Sequence, residues 1–454
     1  MQSWRPALPD DPRPAYARIV ARLGGDIETG ALAPGARLPT QRALAEQLGL
    51  GIGTVTRGYA EAEARGLIEA VVGRGSFVAA RVVPAEAAGP VDLARNVPPL
   101  GPSKGALRQA MVALARRSDL TQRLDYAPQG GFEADRRAGA LWLRRAANFP
   151  SADAARLIIC AGAQQAIVTA LATVSRPGDA VVAEEATFHG LKLAAAHLGL
   201  RLVPAGMDAE GLTPEALDRA VGESGARAAY VLPFQNPTAR VMGLERRTAI
   251  VEVARRRGVL LIEDDLYGPQ VADLGLPPLA ELAPDATAYV SGLSKSLAPG
   301  LRTGFLLPPK RLHADALDAL RAIAFGAPTF GAVIATEWIE SGAAFEILSQ
   351  VRSELATRTI LARDRLGEWA EPVRQHGTPH LWLPLSELEA ERVAGEALRG
   401  GAQVTSPRAP YLAGVPVSGL RICLGGAADL PALDRGLTAL LRALHPGDLG
   451  GEVV

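Results

Sequence analysis

The chain has 454 residues, 48 basic and 48 acidic side chains, and a formal net charge of zero. At about 100–200 residues per domain this length implies two or three domains, and a chain this long, with 48% hydrophobic residues, buries a core without staples. Zero net charge excludes a chain that is basic throughout and leaves room for a local DNA-binding face.

The balance hides a lopsided choice of cation. Only Lys104, Lys192, Lys295 and Lys310 are lysines, and every other basic residue is arginine. Chemistry that needs an amine nucleophile therefore has four sources. Cys160 and Cys423, the two cysteines, make neither a disulfide framework nor a four-cysteine zinc site. A reducing, cytoplasmic setting is expected. The opening segment MQSWRPALPDDPRP lacks the apolar core of a signal peptide, and no apolar run reaches the length of a membrane span. His376 and His380 lie four apart, but Pro379 between them argues against a helical ligand pair, so no metal site is expected.

The first element runs from Ala15 to Thr29, a helix with Ile19, Val20, Leu23 and Ile27 apolar and Gly30 at its end. Pro34-Gly35 marks a turn, and Thr40 is placed to cap a helix carrying Leu44 and Leu48, which Gly49 ends. A further helix from about Gly53 to Arg65 turns Val55, Tyr59 and Ala62 to one face. Two helices joined by a short Gly-containing turn spell a helix-turn-helix. GLIEAVVGRGSFVA (66–79) then gives two short strands about Gly73-Arg74-Gly75, a wing.

Here LPTQRALAEQLG (38–49), TVTRGYAEAEARGLI (54–68) and GRGSFV (73–78) resemble the GntR family of bacterial transcription regulators. The resemblance implies a double-stranded DNA operator as partner, with Arg42, Thr54, Arg57 and Arg74 at the interface. Arg42 and Arg57 suit phosphate or base contacts, and Arg74 a minor groove. Arginines outnumber acids only slightly in this unit, so placement matters more than bulk charge. Family members usually carry Ser-Arg-Gly where this chain has Gly51-Ile52-Gly53. Gly51 is the poorer cap and Ile52 brings no charge. Either the operator preference changes, with Ile52 on a thymine methyl, or DNA binding weakens.

AARVVPAEAAGPVD (79–92) reads as a linker. Beyond it, β-branched runs at 155–163, 179–186, 228–237, 259–265 and 286–295 alternate with helical stretches, which implies a mainly parallel α/β sheet with right-handed crossovers. From about residue 340 a smaller α+β unit follows, with strands at 380–385 and 419–425 and a closing helix at 430–444.

Five places in this body carry chemistry. VSGLSKSLAPGLRTGF (290–305) puts Lys295 after a strand and Arg302 seven residues on, an amine for an aldehyde cofactor and a cation for its phosphate. Lys104 reads as a loop residue, and Lys192 and Lys310 as solvated. IEDDLYG (262–268) ends a strand in two carboxylates and a tyrosine, which fits a partner for a pyridine nitrogen and also a pair of helix caps. Asn236 in PFQNPTAR (233–240) is by itself a turn signal. CAGAQQAI (160–167) runs a strand into a helix, whose first amides at Ala163 and Gln164 suit an anion. Phe188 in EEATFHG (184–190) suits a flat ring, or a core.

Their order and spacing resemble the fold-type-I aminotransferases over roughly 93–454. The resemblance implies pyridoxal 5'-phosphate as cofactor and assigns roles one by one. Lys295 forms the imine with the cofactor aldehyde, and Asp264 pairs with the pyridine nitrogen. Tyr267 and Asn236 bind the phenolic oxygen, and Phe188 stacks on the ring. Arg302, Ser294 and the amides of Ala163 and Gln164 hold the phosphate. Tyr126 reaches the phosphate of the neighbouring subunit, and Arg421 clamps a substrate carboxylate, which a bidentate guanidinium fits well. Three departures weaken the phosphate side: Gly292 stands where the family has Ser or Thr, Ala239 replaces a glycine, and His189 replaces a proline.

A winged helix-turn-helix over 1–80, a linker over 81–92 and an aminotransferase-like domain over 93–454 together resemble the MocR group of regulators. That resemblance implies a head-to-tail homodimer that senses a small amine, an amino acid or the cofactor, away from any membrane. The alternative is a working aminotransferase with a vestigial DNA-binding unit. A third reading, an empty aminotransferase fold on a DNA-binding head, rests on Gly292 alone.

Overall fold

The computed structural model describes residues 4–8, 13–71, 74–79, 89–375, 377–412 and 417–445. The chain divides between Gly89 and Pro90 into two units. Most of the expected linker, residues 80–88, lies outside the described residues, as do Gly73 of the wing and His376.

In the first unit, α1 (Ala15–Glu28) turns Ile19, Val20 and Leu23 inward. They share a core with Leu44 of α2 (Gln41–Leu48) and with Val55, Tyr59 and Ala62 of α3 (Ile52–Ala64). Burying each large side chain contributes about 1.5–3 kcal/mol, which offsets the poor intrinsic stability of helices this short. The Thr40 hydroxyl accepts from the Ala43 amide at 3.2 Å, and Gly49 closes α2 at φ 62°. Gly51 precedes α3 with no side-chain cap, as its missing hydroxyl dictates. The antiparallel pair β1 (Ile68–Val71) and β2 (Gly75–Val78) completes the winged helix-turn-helix. Trp4 closes one side by donating its indole N–H to Asp26 at 2.8 Å.

The second unit starts with β3 (Val91–Leu93), α4 (Gly101–Ala115) and α5 (Glu133–Ala146). Alternation follows: β4 (Ile158–Cys160), α6 (Ala163–Val174), β5 (Ala180–Glu184), α7 (His189–His197) and β6 (Arg201–Ala205). A short hairpin, β7 (Met207–Asp208) and β8 (Gly211–Leu212), leads to α8 (Pro214–Ser224), β9 (Ala228–Val231), α9 (Leu244–Arg257) and β10 (Leu260–Asp264). Then come α10 (Leu279–Leu282), β11 (Thr287–Gly292), β12 (Gly304–Leu307), α11 (His313–Ala324) and α12 (Phe330–Glu340). The last part holds α13 (Ala343–Leu366), β13 (His380–Pro384), α14 (Glu387–Arg399), β14 (Ala402–Val404), β15 (Gly419–Cys423) and α15 (Leu430–Leu444).

Seven strands form one sheet in the order β4-β12-β11-β10-β9-β5-β6. All neighbours are parallel except β12, which is antiparallel to both β11 and β4. The expected runs each contain a strand, and two strands come in addition. β12 is only four residues after a Pro-Gly loop, too short for a periodic signal. β6 carries Pro204, which an edge strand tolerates because its outer N–H has no partner. β4, β5, β9, β10 and β11 all run the same way, so their carboxyl ends meet along one edge.

The smaller α+β part pairs β13 with β15 antiparallel, and β14 with β3 parallel. Val91 and Asp92, at the end of the expected linker, thus belong to a strand that joins the C-terminal part.

Candidate functional site

The site lies along that shared edge, where open α/β sheets bind ligands. Ala163 and Gln164 follow β4, Phe188 follows β5, Asn236 follows β9, Asp264 ends β10, and Ser294 and Lys295 follow β11. Residues spread from Ala163 to Lys295 in the sequence therefore converge because parallel strands each deliver their last residue to the same line.

Lys295 donates from Nζ to the carbonyl oxygen of Asn96 at 2.5 Å. Burial, with the Arg421 charge nearby, lowers its ammonium to about 8. Asp264 is buried, and that burial raises its carboxyl to about 6; the Tyr230 hydroxyl, which donates to it, and the Leu266 amide act in the opposite direction. An amine made partly neutral near a carboxylate is what capture of an aldehyde requires.

The flanking acids have other work. Glu263 accepts from the amides of Leu279 and Ala280 at 2.7 and 2.9 Å, and Asp265 accepts from the Tyr289 hydroxyl at 2.8 Å. Of the acidic run in IEDDLYG, Asp264 is the one whose partner, Tyr230, sits on the neighbouring strand β9 of the site's edge.

Tyr267 is buried, and its oxygen accepts from Asn96 Nδ2 at 2.9 Å. The same Nδ2 lies 2.8 Å from His380 Nδ1. With both Nδ2 hydrogens so used, the Tyr267 hydroxyl hydrogen is left for a ligand, and His380 Nδ1 must be an acceptor. Burial holds His380 well below its ordinary value, which keeps that nitrogen unprotonated. Arg421, on β15, donates to Asn236 Oδ1 at 2.7 Å and to Ala94 O and Thr405 Oγ1 at 3.1 Å each. Its Nε is buried without a hydrogen-bond partner.

The anion side is built by close packing. α6 begins after Gly162, which has φ 80° and offers no side-chain cap, so its first amides stay uncapped by a side chain. Arg302 is exposed, adopts φ 47°, and donates to Ala161 O at 3.0 Å. A Cβ on Gly162 would stand 2.7 Å from that guanidinium. Gly292 faces Thr303 O, which a Cβ would approach to 3.1 Å, so the turn from β11 is packed against β12 where a serine would need room. Ser291 is turned away and donates to Asp265 O at 2.9 Å; Ser294 is buried beside Lys295. Ala239 holds φ 60°, the left-handed conformation the usual glycine would supply. The substitution therefore keeps the turn after Asn236. The Phe188 ring is packed over Gly190, where a Cβ would come within 2.3 Å of it.

Tyr126 is 77% exposed, its ring edge-on to Phe325 at 5.4 Å. With Ala161 and Gln165 it lines an open cavity of about 690 Å³. Two lysine expectations change. Lys104 lies on α4 instead of in a loop. Lys192 is not merely solvated: its ammonium donates to the carbonyls of Ala409 and Tyr411 at 3.2 and 2.7 Å, pinning that loop to α7.

Comparison with known proteins decides what this arrangement is. The family model for aminotransferase class I and II matches residues 88–440, and that for bacterial regulatory proteins of the gntR family matches 15–78. The chain belongs to the class I and II aminotransferases, joined to a gntR head: the MocR-type architecture. It is 28% identical to the uncharacterized HTH-type transcriptional regulator YdeF of Bacillus subtilis, over 97% of each chain. It is also 28% identical to the HTH-type pyridoxine biosynthesis transcriptional regulator PdxR of Corynebacterium glutamicum, over 79% of this chain and 80% of that one. The crystal structure of LysN, alpha-aminoadipate aminotransferase of Thermus thermophilus complexed with N-(5'-phosphopyridoxyl)-L-leucine, matches with a TM-score of 0.68 at 23% identity, covering 86% of this chain and 99% of that one.

Pyridoxal phosphate is the cofactor this MocR-type family implies, and the residues present fit it. The amine of Lys295, the carboxylate of Asp264, the free hydrogen of Tyr267 and the uncapped start of α6 each match a different part of it. Among the described residues no group of three or more His, Cys, Asp or Glu could hold a metal, and no helix is long and apolar enough to cross a membrane.

In the head, Arg57 lies over the Tyr16 ring at 4.1 Å and donates to its hydroxyl at 3.4 Å. Arg42 and Arg74 are exposed, Thr54 is half-buried, and Ile52 is 52% exposed at the start of α3. Thr56 donates to Gln41 Oε1 at 2.8 Å, tying α3 to the start of α2.

Sequence reasoning missed Tyr230, Asn96 and His380. Tyr230 lies inside an apolar strand run, and a six-residue count back from Asn236 carries no signal. Asn96 and His380 meet only because β3 folds back onto the C-terminal part.

Proposed function

We propose that this MocR-type chain is a pyridoxal-phosphate-dependent, DNA-binding transcription regulator whose aminotransferase-like body senses a small amine, an amino acid or the cofactor. The observation that carries the reading is the convergence of Lys295, Asp264, Tyr267 and Arg421 in a chain that also carries a winged helix-turn-helix. Bound at Lys295, the cofactor supplies an electrophilic carbon to which an incoming amine can add.

The chain's own groups then have these roles. Lys295 would hold the cofactor through its amine, which burial lowers to about 8. Asp264 holds a proton on the ring nitrogen. Tyr267 and Asn236 hold the phenolic oxygen, and Phe188 covers the ring. Ala163, Gln164, Ser294 and Arg302 hold the phosphate. Arg421 binds an effector carboxylate, exchanging its bond to Asn236 for a bidentate one. Tyr126, exposed and beside the Ala161–Gln165 turn, completes the site of a second copy in a head-to-tail dimer. Arg42, Thr54, Arg57 and Arg74 contact operator DNA, in a cytoplasmic setting.

Effector binding shifts the protein between two states only as far as its affinity for the two differs. Two heads whose spacing or mobility changes then fit paired half-sites differently. Footprinting of the intergenic region upstream of the chain's own gene, with and without cofactor and candidate amines, tests this. A protected, salt-sensitive site that changes with the amine is expected; no specific complex sinks the regulator reading.

One observation favours a second reading, a working aminotransferase with a vestigial head. α3 starts at an uncapped Gly51 beside the exposed, uncharged Ile52. Steady turnover of amino acid and keto acid without specific DNA binding would establish it.

A further inference from the structure

The direction of the Tyr267 hydroxyl depends on a residue that none of the roles above includes. A phenol hydroxyl both donates and accepts, so its neighbours decide where its hydrogen points. Among the described residues Asn96 is its only hydrogen-bond partner, with the carboxamide nitrogen 2.9 Å from the Tyr267 oxygen. That nitrogen also lies 2.8 Å from His380 Nδ1. A carboxamide nitrogen donates twice and accepts nothing. Tyr267 must therefore accept from Asn96, and accepting one bond strengthens a hydroxyl as a donor elsewhere.

Both neighbours of that nitrogen are held in place. His380, on β13, is fully buried, with the rings of Phe234 and Tyr267 edge-on to it at 5.7 and 5.6 Å. Burial, with the Arg421 charge nearby, keeps its imidazole neutral, so Nδ1 stays an acceptor. Asn96 is buried, and its carbonyl oxygen accepts from Lys295 Nζ at 2.5 Å. Two residues earlier, Ala94 O accepts from Arg421 and Thr405 at 3.1 Å each and from Cys423 Sγ at 3.2 Å. The segment from Ala94 to Asn96 is thus tied to β15, to the residue after β14 and to Lys295. The other groups that face Tyr267 are Arg421, the Cys423 thiol and Asp264.

We propose that Asn96 is a positioning residue for the cofactor. By donating to both Tyr267 and His380 it turns the Tyr267 hydrogen toward the cofactor's phenolic oxygen. An acceptor in the same place would draw that hydrogen back. The role rests on the cofactor reading of the Lys295 site and adds to it a residue from the segment after β3. A donor on the phenolic oxygen stabilises its negative charge, so the nitrogen joining Lys295 to the cofactor loses its proton at a lower pH.

Absorbance titration of the cofactor-loaded full chain tests this by the pH midpoint at which the visible band changes. Tyr267→Phe should raise the midpoint by about one pH unit or more. Asn96→Asp, nearly isosteric, replaces the donor with an acceptor and should raise it too. Asn96→Leu, uncharged and offering neither, should raise it by less. In the Tyr267→Phe background, Asn96→Leu should add nothing and Asn96→Asp only what its charge contributes. The main-chain bond to Lys295 survives either change, so the pH profile of cofactor capture should keep its midpoint in Asn96→Leu. A band that titrates as in wild type in both Asn96 variants would overturn the proposal. So would shifts as large in the Tyr267→Phe background as without it, or a displaced capture profile, which would mean that the whole segment had moved. A wild-type chain with no visible band would contradict the cofactor site itself; a titrating band indifferent to Asn96 overturns the positioning role alone.

Discussion

The Tyr230 hydroxyl donates to the Asp264 carboxylate from the adjacent strand, inside the sheet. Burial alone would push Asp264 toward its neutral form, and this bond works against it. Tyr230→Phe removes the donor and leaves the ring. A hydrogen bond to a charged group is worth about 1.5–3 kcal/mol, so cofactor affinity at pH 7 should fall about tenfold or more. Fluorescence titration with pyridoxal phosphate reads this. Unchanged affinity would mean that Tyr230 only fills space.

The same carboxyl sets a pH limit. Asp264 is raised to about 6, so it is charged above that pH and takes a proton below it. Its pairing with a protonated ring nitrogen is present at pH 7 and lost as pH falls through about 6. Cofactor affinity should be level from pH 7 upward and decline toward pH 5; a level profile down to pH 5 would exclude that pairing.

Lys295 sets the opposite edge. Its amine, lowered to about 8, is mostly charged at pH 7 and mostly neutral at pH 9. The rate of cofactor capture should climb through pH 7–8 and flatten above 9. Stopped-flow absorbance measures it, and a rate still climbing at pH 10 would indicate an ordinary, solvated lysine.

Gly162 is needed for two reasons at once. At φ 80° and ψ 171° the backbone is in a region open essentially to glycine alone, where another residue costs about 1–3 kcal/mol, and a Cβ would press the Arg302 guanidinium at 2.7 Å. Gly162→Ala should lower the melting temperature by several degrees and weaken competition by inorganic phosphate for the cofactor site. Calorimetry and a phosphate competition titration check the two effects.

The head offers a gain instead of a loss. Gly51 has φ −65° and ψ 140°, and a Cβ there meets nothing within 4 Å. Gly51→Ser should cap α3 and add a few tenths of a kcal/mol to about 1 kcal/mol. Ile52→Arg should steepen the salt dependence of DNA binding by about one phosphate contact. Urea melts and anisotropy across a salt series separate them.

Both motif sets were legible in the sequence because each lies within a short window. Lys295 and Arg302 share a loop, Asp264 and Tyr267 share a strand end, and Thr40 and Gly49 bracket one helix. Tyr230, Asn96 and His380 were not legible, because their roles depend on which strands lie side by side. β12 and β6 were missed for local reasons, brevity in one and a proline in the other.

The most direct test compares wild type with Lys295→Ala on DNA from upstream of the chain's own gene, by fluorescence anisotropy with and without pyridoxal phosphate. Lys295→Ala leaves the head untouched. Wild type should bind a specific site with an affinity that changes at least several-fold on adding the cofactor, while Lys295→Ala binds and does not respond. Specific binding by both that ignores the cofactor, or none by either, would contradict a cofactor-linked regulator.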